Sequence, residues 1–135
     1  MIGMIIITHG NLALELRAAM EHVIGLQKNT EIISINPDDD LEIKKEDIAK
    51  SIKKVDNNSG IIILTDMFGG TPSNLAITFL VPEKIEIISG VNLPMLVKIA
   101  ELRDSKNLLE VIGAGKEAGQ KYISIASEIL SENIK

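Results

Sequence analysis

Short apolar runs and stretches with helical spacing alternate along the chain. Met1–Thr8 is β-branched and apolar, the pattern of a strand buried on both faces. Asn11 is placed to cap a helix over Leu12–Ile24, and Gly25 to end it. Glu31–Asn36 reads as a second strand, stopped by Pro37. Asp38, Asp39 and Asp40 then sit where a helix start favours negative charge, and Leu41, Ile48, Ile52 and Val55 recur at helical spacing. The turn residues Asn57, Asn58, Ser59 and Gly60 precede a third strand, Ile61–Thr65. After a loop over Asp66–Gly70, Thr71 and Pro72 match a cap followed by proline at the first helical position, for a helix to about Leu80. Ile85–Ser89 is the fourth strand. Asn92, Leu93 and Pro94 repeat the cap-and-proline pattern before a helix to about Leu102. A further helix is expected over Asn107–Ala118, weakened by Gly113 and Gly115 and stopped by Gly119. Tyr122–Ala126 is rich in β-formers and reads as a short fifth strand.

Strands alternating with helices predict an α/β fold of one domain over residues 1–135. The sheet is expected to be doubly wound and mostly parallel, with strand order 2-1-3-4 and a C-terminal antiparallel edge strand. In that order the winding reverses between strands 1 and 3. Such sheets place ligands in the crevice outside the carboxyl ends of those strands.

Composition narrows the chemistry. With 135 residues, 45% hydrophobic and 24% charged, the chain can bury one core. Only Phe68, Phe79 and Tyr122 are aromatic, so that core is aliphatic. The absence of cysteine removes disulfides, thiolate metal sites and thiol catalysis. A net charge of -5 argues against nucleic acid as a partner. No secretory signal or membrane-length apolar run is visible, so a cytoplasmic protein is expected.

The expected crevice brings together residues with one coherent chemistry. Strand 1 ends in Thr8-His9-Gly10 and strand 3 in Thr65-Asp66-Met67, which sets His9 beside Asp66. A neutral imidazole is a nucleophile at one nitrogen when a carboxylate holds the proton on the other. His9 is then the candidate nucleophile and Asp66 its orienting partner. Two helix starts, at Gly10-Asn11 and at Thr71-Pro72, would offer unpaired N–H groups to a phosphoryl group. Gly69 and Gly70 would let their loop approach closely, and the Thr71 hydroxyl is a further donor. Gly10, Gly69, Gly70 and Thr71 are therefore the candidate phosphate-binding residues. Taken singly, each feature also has a purely structural use as a cap or turn; their conjunction carries the reading.

Other candidates read as structural. His22 lies mid-helix and Arg17 contributes surface charge. Asp38–Asp40 lack EF-hand spacing, so a solvated helix start is favoured over a metal site, and no metal or cofactor is expected. Walker-type, dinucleotide and nucleophile-elbow signatures are missing, which points to a donor protein and not to bound ATP as the phosphate source.

Three segments resemble a known family. They are Ile5-Ile6-Ile7-Thr8-His9-Gly10, Thr65-Asp66-Met67-Phe68-Gly69-Gly70-Thr71-Pro72-Ser73-Asn74 and Ser89-Gly90-Val91-Asn92-Leu93-Pro94-Met95-Leu96. In order and spacing they resemble the EIIA domain of the mannose family of the bacterial phosphoenolpyruvate:sugar phosphotransferase system. The resemblance covers essentially the whole chain. It implies a phosphotransferase that accepts phosphate from HPr on His9, at Nε2, and passes it to EIIB for coupled sugar uptake and phosphorylation. It implies that Asp66 orients the ring through Nδ1 and that Thr71 lies beside the phosphate. It further implies a homodimer with an exchanged C-terminal strand, and contact with the membrane only through the transporter complex. The chain stops soon after its last element, so a free-standing EIIA is expected.

Three alternatives remain open at this level. The phosphocarrier subunit of dihydroxyacetone kinase shares the fold and a strand-1 histidine, although Gly69-Gly70-Thr71-Pro72-Ser73-Asn74 favours the sugar system. A receiver-type signalling domain would be phosphorylated on Asp66, but has acidic metal ligands where Thr8-His9 stands. A non-catalytic ligand-binding module would leave His9 without chemistry.

Overall fold

A computed structural model describes residues 1–134, with side-chain environments to Ser131. Four strands, β1 (Gly3–His9), β2 (Thr30–Ile35), β3 (Ile61–Thr65) and β4 (Ile85–Ser89), form one sheet ordered β2-β1-β3-β4. Every pairing is parallel, with Ile7 opposite both Ile33 and Thr65, and Thr65 opposite Ser89. The expected order is thus present, with β1 and β3 central.

The pleat sorts the core into two layers. Met4 and Ile6 of β1 and Ile62 and Leu64 of β3 pack with Met20, Leu96, Ile99 and Val111. Ile5 and Ile7, with Ile61 and Ile63, point the other way and meet Ile48, Val55 and Ala76. The first layer lies under α1 (Leu12–Ile24), α4 (Leu93–Leu102) and α5 (Leu108–Lys121); the second lies under α2 (Leu41–Val55) and α3 (Thr71–Ile77). Ile5, Ile6 and Ile7 have no exposed surface, and each contributes about 1.5–3 kcal/mol by burial. An unbroken apolar run is therefore what a strand covered on both faces requires.

Several helix ends differ from expectation. Asn11 stands before α1 without a side-chain cap; the Thr8 hydroxyl instead accepts from the Ala13 N–H at 2.7 Å. Gly70 is the N-cap of α3, so Thr71 is its first residue and Pro72 its second. That helix ends at Ile77, short of Leu80. Asn92 and Asn107 cap α4 and α5 as side-chain acceptors.

The C-terminal region departs most. Gly119 does not stop α5, which continues to Lys121. A Cβ on Gly115 would lie 2.7 Å from Ile99 Cγ1, and one on Gly119 would lie 2.9 Å from Met95 Cε. Both glycines serve close helix packing against α4, and a helix held by such packing tolerates their poor propensity. Tyr122–Ala126 is not a strand, and the sheet has no antiparallel edge strand among the described residues. Ile123 and Ile125 are exposed in an unpaired connection to a sixth helix, α6 (Ala126–Ile134). β-propensity reports fit to a neighbouring strand, and here no neighbour is present.

Arg103 closes the end of the sheet remote from His9. It is 1% exposed, and its guanidinium donates to the carbonyls of Ile2, Asn29 and Lys28 and to Gln27 and Thr30. Burial lowers its pKa to about 10, which leaves it charged at neutral pH.

Candidate functional site

His9 is the last residue of β1, and its preceding neighbour is buried while its own side chain is 51% exposed. The strand's pleat and the turn after it lift the ring out of the sheet. Gly10 takes φ +53°, a left-handed value, and its N–H donates to the Ile35 carbonyl at 2.9 Å. The buried Thr8 hydroxyl then holds the start of α1. Topology thus places an exposed imidazole on a rigid central strand.

Asp66 stands next to it, one residue past β3. Its Oδ2 accepts two hydrogen bonds from His9, the backbone N–H at 3.0 Å and the ring at Nδ1, 2.8 Å away. The Asp66 side chain is only 13% exposed. Burial by itself raises its pKa. The His9 backbone N–H, the ring hydrogen bond and the ring's charge together outweigh that and hold it below 3.8. An ionised carboxylate on Nδ1 favours the tautomer with the proton there. Nε2 then keeps its lone pair, has no hydrogen-bond partner among the described residues, and belongs to a half-exposed ring.

The loop from Asp66 to Gly70 supplies the remaining wall. Gly69 has φ +86°, which favours glycine. Gly70 has ordinary extended angles, φ −80° and ψ 168°, and is needed for a different reason. A Cβ there would stand 2.9 Å from His9 Cε1 and 3.5 Å from Nε2. The backbone therefore lies flush against the Cε1–Nε2 edge of the ring. Thr71 follows directly and is half-buried at the start of α3. His9, Asp66 and Gly70 are brought into direct contact; Gly10, Gly69 and Thr71 flank them in the chain.

The other polar candidates stand elsewhere. His22 is exposed in the last turn of α1, and Arg17 pairs with Glu21 at 3.6 Å. Asp39 accepts from the Asn36 N–H and pairs with Lys44, while Asp40 caps α2. Among the described residues no group of three or more His, Cys, Asp or Glu side chains could hold a metal. A cluster of hydroxyls, Thr65, Ser73 and Ser89, lies behind the loop and was not singled out from the sequence. The parallel register that sets Thr65 opposite Ser89, two polar ends of buried strands, is the signal that could have found it.

Residues 3–114 match the family described as the PTS system fructose IIA component. The chain belongs to the mannose-family EIIA proteins of the bacterial sugar phosphotransferase system. The fructose-specific EIIA component of Bacillus subtilis is 26% identical over 98% of this chain and 91% of its own length. The mannose-specific EIIAB component of Escherichia coli is 34% identical over 90% of this chain, which spans 38% of that longer protein. A IIA protein associated with the fucose utilization operon of Streptococcus pneumoniae superposes with a TM-score of 0.81 at 26% identity, covering 94% of this chain and 95% of its own. The Streptococcus agalactiae EIIA crystal structure shares the fold at a TM-score of 0.85, covering 95% and 99% of the two chains, with 23% identity. This EIIA is therefore a sugar phosphotransferase-system component, and such components function in phosphoryl transfer. The sugars named for its relatives differ, so the likeness carries the system and not one sugar. No described helix is long and apolar enough to cross a membrane.

Proposed function

We propose that this EIIA is a cytoplasmic phosphohistidine carrier that accepts a phosphoryl group from HPr on Nε2 of His9 and passes it to EIIB. The observation that carries the reading is the Asp66 carboxylate bound at 2.8 Å to Nδ1, with Nε2 left open. In the accepting step the Nε2 lone pair forms a bond to phosphorus as the bond from phosphorus to the donor's histidine nitrogen breaks. The donor nitrogen leaves with the bonding electron pair. Positive charge develops on the His9 ring while Nδ1 keeps its proton, and Asp66 stabilises that charge without reorganising. In the forward step the same bond breaks toward EIIB, and His9 returns to the neutral ring. In this reading Gly70 leaves room beside Nε2 for the phosphoryl group, and Thr71 and the turns after Gly10 and Gly69 donate to its oxygens, the Gly10 N–H itself being already committed to the Ile35 carbonyl.

Two observations favour this reading over its rivals. Asp66 Oδ2 is committed to His9, whereas a receiver domain needs that carboxylate as its own acceptor. A non-catalytic module has no use for a histidine with one ring nitrogen held by a carboxylate and the other left bare.

We further propose a homodimer formed across the open side of β4. A groove of about 610 Å³ there is lined by Phe68, Ile87, Met95 and Ile112, and by Ile123 of the C-terminal connection. Ile123 is exposed at its edge, and Tyr122 and Ile125 of the same connection are also exposed, adding apolar surface that a second copy would cover.

The test is incubation with phosphoenolpyruvate, enzyme I and HPr, followed by peptide mapping of the acid-labile adduct. Phosphate on His9, lost in a folded His9→Ala variant, is expected. An adduct on Asp66, or none, would overturn the reading.

A further inference from the structure

The loop that carries Asp66 and Gly70 is anchored at both ends by one group. Ser89 Oγ, at the end of β4, lies 2.8 Å from Thr65 Oγ1 and 3.1 Å from Ser73 Oγ. Thr65 is the residue immediately before Asp66, and Ser73 lies three residues after Gly70. Thr65 and Ser73 have no exposed surface, and Ser89 is half-buried. The Thr65 carbonyl adds a second clamp, accepting from the Gly90 and Val91 N–H groups at 2.9 and 3.0 Å. Strand β3, strand β4 and the first turn of α3 therefore converge on a single hydroxyl. Between the two anchored ends runs the stretch that grips His9 through Asp66 Oδ2 and crowds its ring with Gly70.

We propose that Thr65, Ser89 and Ser73 are positioning residues for phosphoryl transfer, with Ser89 as the hub that sets where Asp66 and Gly70 meet the His9 ring. The proposal rests on His9 being the phosphoryl acceptor. Two fully buried hydroxyls meeting a half-buried third are an expensive way to hold a fold, since Thr65 and Ser73 must find their partners inside the protein, where apolar side chains of similar shape would fill the same space. Hydroxyls add directional bonds of defined length, which fix the loop against sliding along the strand ends. Contact at the ring is tight enough for small slides to register. A Cβ is already excluded at Gly70, and the ring is tied to Asp66 at 2.8 Å.

A role in stability alone and a role in positioning separate experimentally. The variants are Ser89→Ala, Thr65→Val and the conservative Thr65→Ser. The readouts are the rate of His9 phosphorylation by phosphorylated HPr, the ¹⁵N shifts of the His9 imidazole in the unphosphorylated protein, and the thermal midpoint. Ser89→Ala and Thr65→Val are expected to remain folded and to slow phosphorylation about tenfold, because sub-ångström misplacement of reacting groups costs rate on this scale. Both should also move the Nδ1 and Nε2 resonances toward a mixture of tautomers, and Thr65→Ser should restore the rate and the shifts. Folded Ser89→Ala and Thr65→Val variants with wild-type rates and unchanged ring shifts would overturn the proposal, as would failure of Thr65→Ser to recover either readout. Should the unsubstituted protein take no phosphate, the acceptor reading fails by itself. The ring shifts then decide positioning: unchanged shifts reject it, and shifted tautomers that Thr65→Ser restores support it.

Discussion

Replacing Gly70 by alanine isolates the geometry of the site from the stability of the fold. Gly70 sits at φ −80° and ψ 168°, angles open to any L residue, so alanine adds no backbone strain. Its new methyl would begin 2.9 Å from His9 Cε1, whereas ordinary contact starts near 3.4 Å, so the ring must withdraw by about 0.5 Å. It cannot withdraw freely. The 2.8 Å bond from Nδ1 to Asp66 fixes one edge, and movement toward solvent lengthens or tilts that bond. The methyl also stands 3.5 Å from Nε2, beside the path proposed for an incoming phosphorus. A 1 Å misplacement of reacting groups can cost about 10²-fold in rate, so half that distance predicts roughly a tenfold loss, or about 1.4 kcal/mol. Stability should change by less than about 1 kcal/mol, because a glycine at compatible angles gives up only unfolded-state freedom. Rapid-quench measurement of His9 phosphorylation by phosphorylated HPr, with circular-dichroism melting alongside, separates the two. A folded Gly70→Ala variant that accepts phosphate at the unsubstituted rate would refute the close approach of this loop to the ring.

Two further expectations concern stability. The Asp66 pKa is lower in the folded protein than its ordinary value of 3.8, so its contribution is complete above that value and disappears as pH falls through the lower folded one. Urea unfolding of Asp66→Asn should therefore show a shallower loss of stability below about pH 4 than the unsubstituted protein, and parallel curves would reject the Asp66–His9 linkage. Gly115→Ala should destabilise by up to about 2 kcal/mol, since an overpacking cost of about 1–3 kcal/mol from the clash at 2.7 Å with Ile99 is set against a gain in helix propensity of about 1 kcal/mol; a raised melting temperature would show that α4 and α5 are not in close contact there.

The central layer of the fold was legible because its signals are local and mutually consistent. The runs Ile5-Ile6-Ile7 and Ile61-Ile62-Ile63-Leu64 are short and β-branched, which favours strands covered on both faces over helix, and the helices between them leave few parallel orders. The pairing of His9 with Asp66 then followed from topology, since both stand just where adjacent central strands end. What was misread depended on partners distant in sequence. Gly119 is compatible with a helix stop or with a tight helix crossing, and Met95 decides the matter. Thr71-Pro72 fits a cap or a first turn, and the extended angles of Gly70 place the cap one residue earlier. Tyr122–Ala126 has the composition of a strand but pairs with neither edge of the sheet, β2 or β4. The Thr65–Ser89–Ser73 hydroxyls could not stand out, because serine and threonine are common at strand and helix ends and only the register unites these three.

The central claim is that Asp66 reserves Nδ1 and leaves Nε2 as the nucleophile. Nuclear magnetic resonance of ¹⁵N-histidine-labelled protein, phosphorylated in place through HPr, tests it in one spectrum. A single phosphorylated ring, His9, is expected, with ³¹P–¹⁵N coupling at Nε2 and a proton retained on Nδ1. Coupling at Nδ1, or a phosphorylated His22 with His9 unchanged, would contradict it.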